Sequence, residues 1–400
     1  AMIVPASLSI VTNAFSGRDR VRAIALWGGA SGLVSGLGPP VGGVLTEVAG
    51  WPSIFWATLV VVAVILAFAY PGVAESCDET AVRTIDYGGA LFLAGAITTL
   101  SLTLIEGPSW GWLSTPTAVS FALAAALLAG LVLVERRSAN PVVVLSMLRH
   151  RNFVGGMVVK LVVNFVLAGL LFMLPIYLQE ILYYSPLEAG VLLLPLSGTF
   201  LLSLPLGGRL MENYGPRLPM VAGLLLATVG LLFIADVSPS TSYVDLWPPM
   251  LGLGFGVGLV LTPMNATAVN AVPVRQHGAA TGVLTTVIGL GSVLGVAITA
   301  GVFRTLEDER LDHVLAKTGP RLPDSTERIL EGVLVHAQNA EQELARFGPQ
   351  AQGNIIAALR EAFVFGISNA LTVSVVVAAA GAFATLLILK RRPTARSSDC

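Results

Sequence analysis

The spacing of charged residues constrains this chain more than any other feature. Runs free of Asp, Glu, Lys and Arg cover residues 23–46, 48–74, 87–105, 107–134, 161–179, 189–208, 218–235, 246–274, 276–303 and 362–389. Each holds at least 18 residues, close to the roughly 20 that a helix needs to cross about 30 Å of hydrocarbon. Lipid offers no partner to an unpaired backbone amide, so a helix that closes its own hydrogen bonds is the expected form. A spanning β-barrel would alternate polarity in strands of about ten residues, and the run Leu123 to Val134 does not alternate. Ten complete transmembrane helices are predicted. Residues 1–17 are uncharged but too short for a full crossing, and they read as one partial helix that begins before Ala1.

Composition agrees and excludes the other classes. Only 12% of the 400 residues are charged and 54% are hydrophobic, against about 25% charged in an average soluble domain. A soluble protein so poor in charge would expose large apolar patches, and a disordered one would lack the apolar surface seen here. Two cysteines rule out a disulfide scaffold or a thiolate metal cluster, and a net charge of −1 points to no nucleic-acid partner. The reading is an all-α polytopic protein whose first partner is the lipid bilayer.

Basic residues assign the sides. Arg18, Arg20, Arg22, Arg83, Arg136, Arg137, Arg149, Arg151, Arg209, Arg217, Arg275, Lys390, Arg391, Arg392 and Arg396 all fall on one set of alternate connections. The opposite short loops, 47–51, 106–116, 180–188 and 236–245, carry none. The basic residues of segment 304–361 lie in a long loop, which translocates largely regardless of charge. The arginine-rich set is therefore expected in the cytoplasm of a plasma-membrane protein, with the C-terminus inside. Cys77 and Cys400 then face the reducing side, which disfavours a bridge. Within 304–361 the stretch Thr326 to Phe347 spaces Ile329, Leu330, Val333 and His336 as an amphipathic helix does.

Two motifs stand out. In the run Trp27 to Leu45, Gly28, Gly32 and Gly36 recur every fourth residue, a stripe that lets helices approach closely in lipid. Gly38-Pro39 follows, removing a backbone donor and bending the helix, and then Gly42-Gly43. The second motif is Gly207-Gly-Arg-Leu-Met-Glu-Asn-Tyr-Gly-Pro-Arg217. There Gly208 suits a helix contact and Gly215 a turn, Glu212 can face the start of the next helix, and Arg209 and Arg217 can pair with Glu212 or hold lipid phosphate. Packing glycines and an ordinary positive-inside turn are the plain readings of both.

Together these motifs resemble the major facilitator superfamily: Gly38, Pro39, Gly42 and Gly43 its antiporter-type fifth-span motif, and Gly208, Arg209, Glu212, Gly215 and Arg217 its cytoplasmic gate loop. The family's upstream glycines fall here on Val34 and Ala25, and its usual loop Asp is Glu212. With Glu106-Gly-Pro-Ser-Trp-Gly-Trp112, Leu174 to Gln179, Ser185 to Gly190 and Gly282 to Thr286, the chain is similar to the fourteen-span drug:proton antiporters of the EmrB/QacA type. That resemblance implies a major facilitator fold lacking the family's first three spans and the proton-coupling acid they carry. Residues 1–71 then form a remnant of the N-terminal bundle, 72–152 two linking spans with their loops, 153–390 a complete six-helix C-terminal bundle, and 391–400 a cytoplasmic tail. It further implies proton-coupled export of hydrophobic or amphipathic small molecules, driven by a proton gradient with no cofactor. The alternatives are an exporter or importer of one metabolite, or a truncated, inactive fragment.

Lys160 is the one charge lodged well inside a span, with Asn164 one turn on along the same face. Such a group lines a cavity, meets a partner or snorkels to the interface. Asn265, Asn270, Thr285 and Thr286 are polar residues that suit either a cavity or interhelical hydrogen bonds, and Glu180 and Glu188 flank an outer loop. No HExxH, CxxC or GxxxxGK[ST] pattern occurs, which leaves no footing for an enzyme or a metal site. Tags placed beside Arg137 and Trp110 are expected to react with an impermeant reagent from opposite sides of the membrane. Labelling of both in intact cells overturns the topology.

Overall fold

The computed structural model describes residues 17–72, 86–138, 145–273, 276–318 and 346–389, together with residues 7, 10, 11, 14, 15, 342 and 344. Among them every regular element is helical. In chain order these are α1 (Gly17–Ala49), α2 (Ser53–Gly72), α3 (Tyr87–Trp110), α4 (Thr115–Glu135), α5 (Arg151–Ile176), α6 (Pro186–Leu192), α7 (Leu194–Tyr214), α8 (Arg217–Ala235), α9 (Tyr243–Val269), α10 (His277–Thr318) and α11 (Pro349–Ile388). Nine candidate spans among the described residues are long and apolar enough to cross a bilayer, with mean hydropathy from 1.5 to 2.4. Helix α1 is not one of them, because glycines and prolines dilute its apolar content. The cysteines, Arg275, Lys390 to Arg396, and Ile329 to His336 lie outside the described residues.

The helices follow the uncharged runs but do not end where those runs end. A charge-free run marks the length that lipid tolerates, whereas a helix continues into water as long as its own hydrogen bonds hold. Helix α10 thus passes Arg304 to reach Thr318, and α11 starts at Pro349, ahead of Arg360 and Glu361. An Arg310–Glu361 ion pair of 2.7 Å ties the two extensions together, and the Arg310 guanidinium also lies over the Phe365 ring. Much of the segment expected as an outer loop is therefore helix. Helix α3 likewise runs through Gly107 and Pro108 to Trp110, leaving only a short turn before α4. The 189–208 run is divided between α6 and α7, which break at Leu193, two residues before Pro195. At the C-terminal end of α5, which contains Pro175, a π-turn over Tyr177–Ile181 widens the helix.

Sequence-local signals fix the helix starts. The Asp86 carboxylate caps α3 by accepting the Gly89 amide at 2.7 Å, a bond that holds its carboxyl below the usual value. Ser114 caps α4, and Ser185 with Glu188 forms a reciprocal capping box ahead of α6.

Helices α5 and α7–α11 form one bundle in which α9 is central, packing along both α7 and α8 and touching α5. Helix α11 lies against α8, α10 and α5. Helices α3 and α4 make a hairpin whose first arm rests on α10, while α1 packs on α6 and α7. Lipid tails are as apolar as leucine, so cohesion between spans comes from close packing. Gly223 of α8 faces Gly256 of α9, and an added Cβ at either would sit 2.5 Å from the other's carbonyl oxygen. Gly252, on the same helix, has only one side-chain atom nearby, at 3.9 Å.

Gly223→Leu is expected to destabilise the detergent-solubilised protein by about 2 kcal/mol through overpacking, read as a lower thermal midpoint. Gly252→Ala is expected to show no loss.

Candidate functional site

Two places combine tight geometry with polar side chains that the bilayer would otherwise exclude. The first joins α1 to α6 at the end of the spans poor in basic residues. A Cβ on Gly43 would lie 2.5 Å from the Pro186 carbonyl, and one on Gly190 would lie 2.5 Å from the Pro39 carbonyl. Backbone therefore meets backbone at two points along this pair, and only glycine permits it. Glu47, one turn beyond Gly43, completes the contact. Its Oε2 accepts the Ser185 hydroxyl at 2.6 Å and the Leu187 amide at 3.0 Å. A carboxylate at a helix N-terminus gains from free amides and from the helix dipole. Below this latch a cavity of about 340 Å³ is lined by Pro39, Gly42 and Thr46 of α1, Pro175 and Gln179 of the α5 segment, and Ala189. Gly38 and Gly42 meet nothing within 4 Å, so of the motif's four positions Pro39 and Gly43 make the contact while Gly42 borders the cavity.

The second place is Lys160. Its side chain is only 8% exposed, and Nζ donates to the Asn265 Oδ1 of α9 at 2.6 Å. It bonds across the bundle instead of reaching for the interface. Asn265 is oriented by its own Nδ2, which donates to the Leu261 carbonyl at 3.0 Å. Asn164 donates to the Lys160 carbonyl at 2.7 Å and flanks the α10 backbone at Gly291. Among the described residues no carboxylate lies within ion-pair distance of Lys160. Thr285 and Thr286 bond to carbonyls of their own helix, at Thr281 and Gly282. The structure thus brings Lys160, Asn164 and Asn265 together; the Thr285 hydroxyl bonds elsewhere.

The loop between α7 and α8 differs from its expected arrangement in one respect. The tight helix contact falls on Gly207, whose Cβ would lie 2.5 Å from the Leu259 carbonyl, while Gly208 has ordinary space at 3.4 Å from Thr262. Helical phase decides this, because neighbouring residues point about 100° apart. In this conformation Glu212 pairs with neither Arg209 nor Arg217, since no such ion pair exists among the described residues. Gly215 does turn the chain, at φ 82°, with its amide bonded to the Met211 carbonyl at 2.9 Å. Glu212 lines a cavity of about 470 Å³ with Asn152, Asn213, Thr267 and Asn270. The Thr267 hydroxyl is buried there and has no hydrogen-bond partner. This polar pocket lies at the arginine-rich end, opposite the α1–α6 latch.

Comparison with known proteins places this arrangement. A family model described as Major Facilitator Superfamily matches residues 1–296. The chain belongs to the Major Facilitator Superfamily. The multidrug resistance protein Stp of Mycobacterium tuberculosis is 31% identical over 382 residues, covering 94% of this chain and 70% of that protein. The tetracenomycin C resistance and export protein of Streptomyces glaucescens is 28% identical over 406 residues, covering 100% of this chain and 74% of its own. Among solved structures, a bacterial homologue of the human lysosomal transporter Spinster, inward-facing and unoccupied, matches with a TM-score of 0.56 at 16% identity, over 97% of this chain and 75% of that one. This likeness establishes the shared fold. As a major facilitator protein the chain is a multi-pass membrane transporter of small molecules, not an enzyme.

Sequence reasoning missed Glu47. It falls in the short loop 47–51, and the one available signal is its position a single helical turn after Gly43. Glu188, read as a mouth residue, is engaged in capping α6. Asn265→Leu is expected to cost about 2 kcal/mol in thermal unfolding, because it strands a buried ammonium. The double variant Lys160→Met/Asn265→Leu is expected to recover most of that loss, and equal loss in both overturns the pairing.

Proposed function

We propose that this major facilitator protein is a proton-coupled efflux transporter of the fourteen-span drug:proton antiporter type. It exports hydrophobic or amphipathic small molecules across the plasma membrane, with the arginine-rich ends of its spans and its C-terminus in the cytoplasm. The observation that carries this reading is the asymmetry along the bundle. One end is closed where α1 and α6 meet backbone to backbone under the Glu47 latch, and the other holds an open polar pocket. A carrier that works by alternating access needs one such closed end in each state. Closing through glycines and a single carboxylate keeps that contact reversible.

Two further features support the reading. In chain order the α3–α4 hairpin falls between α1–α2 and the six-span bundle, where the fourteen-span type carries its two extra helices. Relatives of similar sequence bear the names of multidrug and antibiotic resistance proteins. Spans with so little charge suit greasy cargo better than sugars or phosphates. Lys160, held by Asn265, is the polar group of the transport path, with Asn164 beside it; the energy source is the proton gradient, and no cofactor takes part.

The test is dye accumulation in cells expressing the protein as its gene encodes it. Accumulation below that of control cells, restored by a protonophore, is the expected result. Equal accumulation across a broad panel of dyes and antibiotics overturns drug export. Lys160→Met is expected to lower efflux about tenfold, equivalent to about 1.4 kcal/mol. Unchanged efflux removes Lys160 from the path while leaving the export reading intact.

A further inference from the structure

A third cavity opens on the outside of the bundle, between α8 and α11 at the arginine-rich end. It holds about 640 Å³ and is lined by Tyr214, Arg217, Leu218, Ala222, Leu225 and Leu386, among others. Leu218, Leu225 and Leu386 are 50%, 51% and 41% exposed. The other face of α8, carrying Met220, Leu224, Ala227 and Leu231, is buried in the bundle. The groove therefore lies on a surface that faces hydrocarbon. From Leu218 to Leu225 it follows α8 for about 10 Å, an apolar track open at its basic end.

Charge is what makes this groove selective. Arg217 stands at its mouth, and no ion pair among the described residues engages it. Tyr214, 59% exposed, lines the same groove and brings a hydroxyl to it. The groove lining contains no carboxylate, since Glu212 borders the other cavity, across the Gly215 turn. Four residues past the groove wall at Leu386 the sequence continues Lys390-Arg391-Arg392. Basic clusters directly next to a span attract anionic lipid at about 1 kcal/mol per residue. A zwitterionic headgroup finds a partner here for its phosphate but none for its ammonium.

We propose that the α8–α11 groove is a binding site for one anionic phospholipid, its phosphate on Arg217 and Tyr214 and an acyl chain along Leu218, Ala222 and Leu225. This assigns Arg217 to lipid and leaves Glu212 to the polar pocket. The site does not depend on what the protein transports.

Native mass spectrometry of the purified full chain, exchanged into micelles containing either dioleoyl phosphatidylglycerol or dioleoyl phosphatidylcholine, tests the proposal. One retained phosphatidylglycerol is expected, favoured about fivefold over phosphatidylcholine, the equivalent of one basic contact. Arg217→Gln is expected to abolish that preference and Arg217→Lys to retain part of it. Ala222→Phe, which fills the track from the lipid side without touching the bundle interior, is expected to lower retention of both lipids. Thermal midpoints equal to wild type confirm that the variants are folded. Equal retention of the two lipids by the wild-type protein overturns the proposal, as does a preference that survives both Arg217→Gln and Ala222→Phe. A second copy of the chain, or a retained small amphipathic molecule, lost from Ala222→Phe in place of lipid also overturns it.

Discussion

In a bilayer the apolar faces of helices gain little by leaving lipid for one another, so contact must come from shape. This constraint runs through the whole structure. Helix α9 is held on one side by Gly256 against Gly223 and on the other by the α7 backbone. The same device, applied between Gly43 and Pro186 and between Gly190 and Pro39, fastens α1 to the bundle. A backbone-to-backbone contact is dense but has few directional bonds, so it can separate as a unit without unfolding either helix. Glu47 adds the directional part, two charge-assisted bonds that must both break when α1 and α6 part. Stability and mobility thus draw on one device, and they differ in how many polar bonds accompany it.

The spans were legible because charge is the most expensive thing to place in hydrocarbon, and this chain states its charges sparsely. Helix ends were not, since Arg310 and Glu361 can extend α10 and α11 beyond the membrane by pairing with each other, 51 residues apart. The break at Leu193 left only Pro195 as a trace, and an uncharged run looks the same whether it holds one helix or two. Lys160 was legible as an anomaly, but its partner was not. Asn265 is 105 residues away, and nothing local separates it from Asn270. Glu47 was the least legible, because a carboxylate in a short loop reads as solvated until the helix it caps is placed opposite. Gly207 and Gly208 could not be distinguished without knowing the rotation of α7.

The family placement narrows what these polar contacts are for without naming them. A transporter must hold each buried polar group in every state it visits, since an ammonium or carboxylate left without a partner in the membrane is costly. In this state Lys160 leans on Asn265, and Asn265 is itself fixed by Leu261. The first of these bonds ties α5 to α9, and the second fixes its acceptor within α9. Any movement that separates those helices has to supply the ammonium with another acceptor, from solvent, from cargo or from a different helix.

The loop between α7 and α8 carries the same logic to the membrane surface. Glu212 and Arg217 lie five residues apart, near enough in sequence to suggest a local pair. The left-handed turn at Gly215 sets them on different faces. Glu212 borders the polar pocket beside the end of α9, and Arg217 begins the outward stripe of α8. One short loop therefore touches an aqueous pocket and the lipid at once. A shift of α7 and α8 against α9 changes the surroundings of both charges together. The spacing of charges in such a loop is thus better read as two separate anchors than as one lock, because the turn between them decides which partners they can reach.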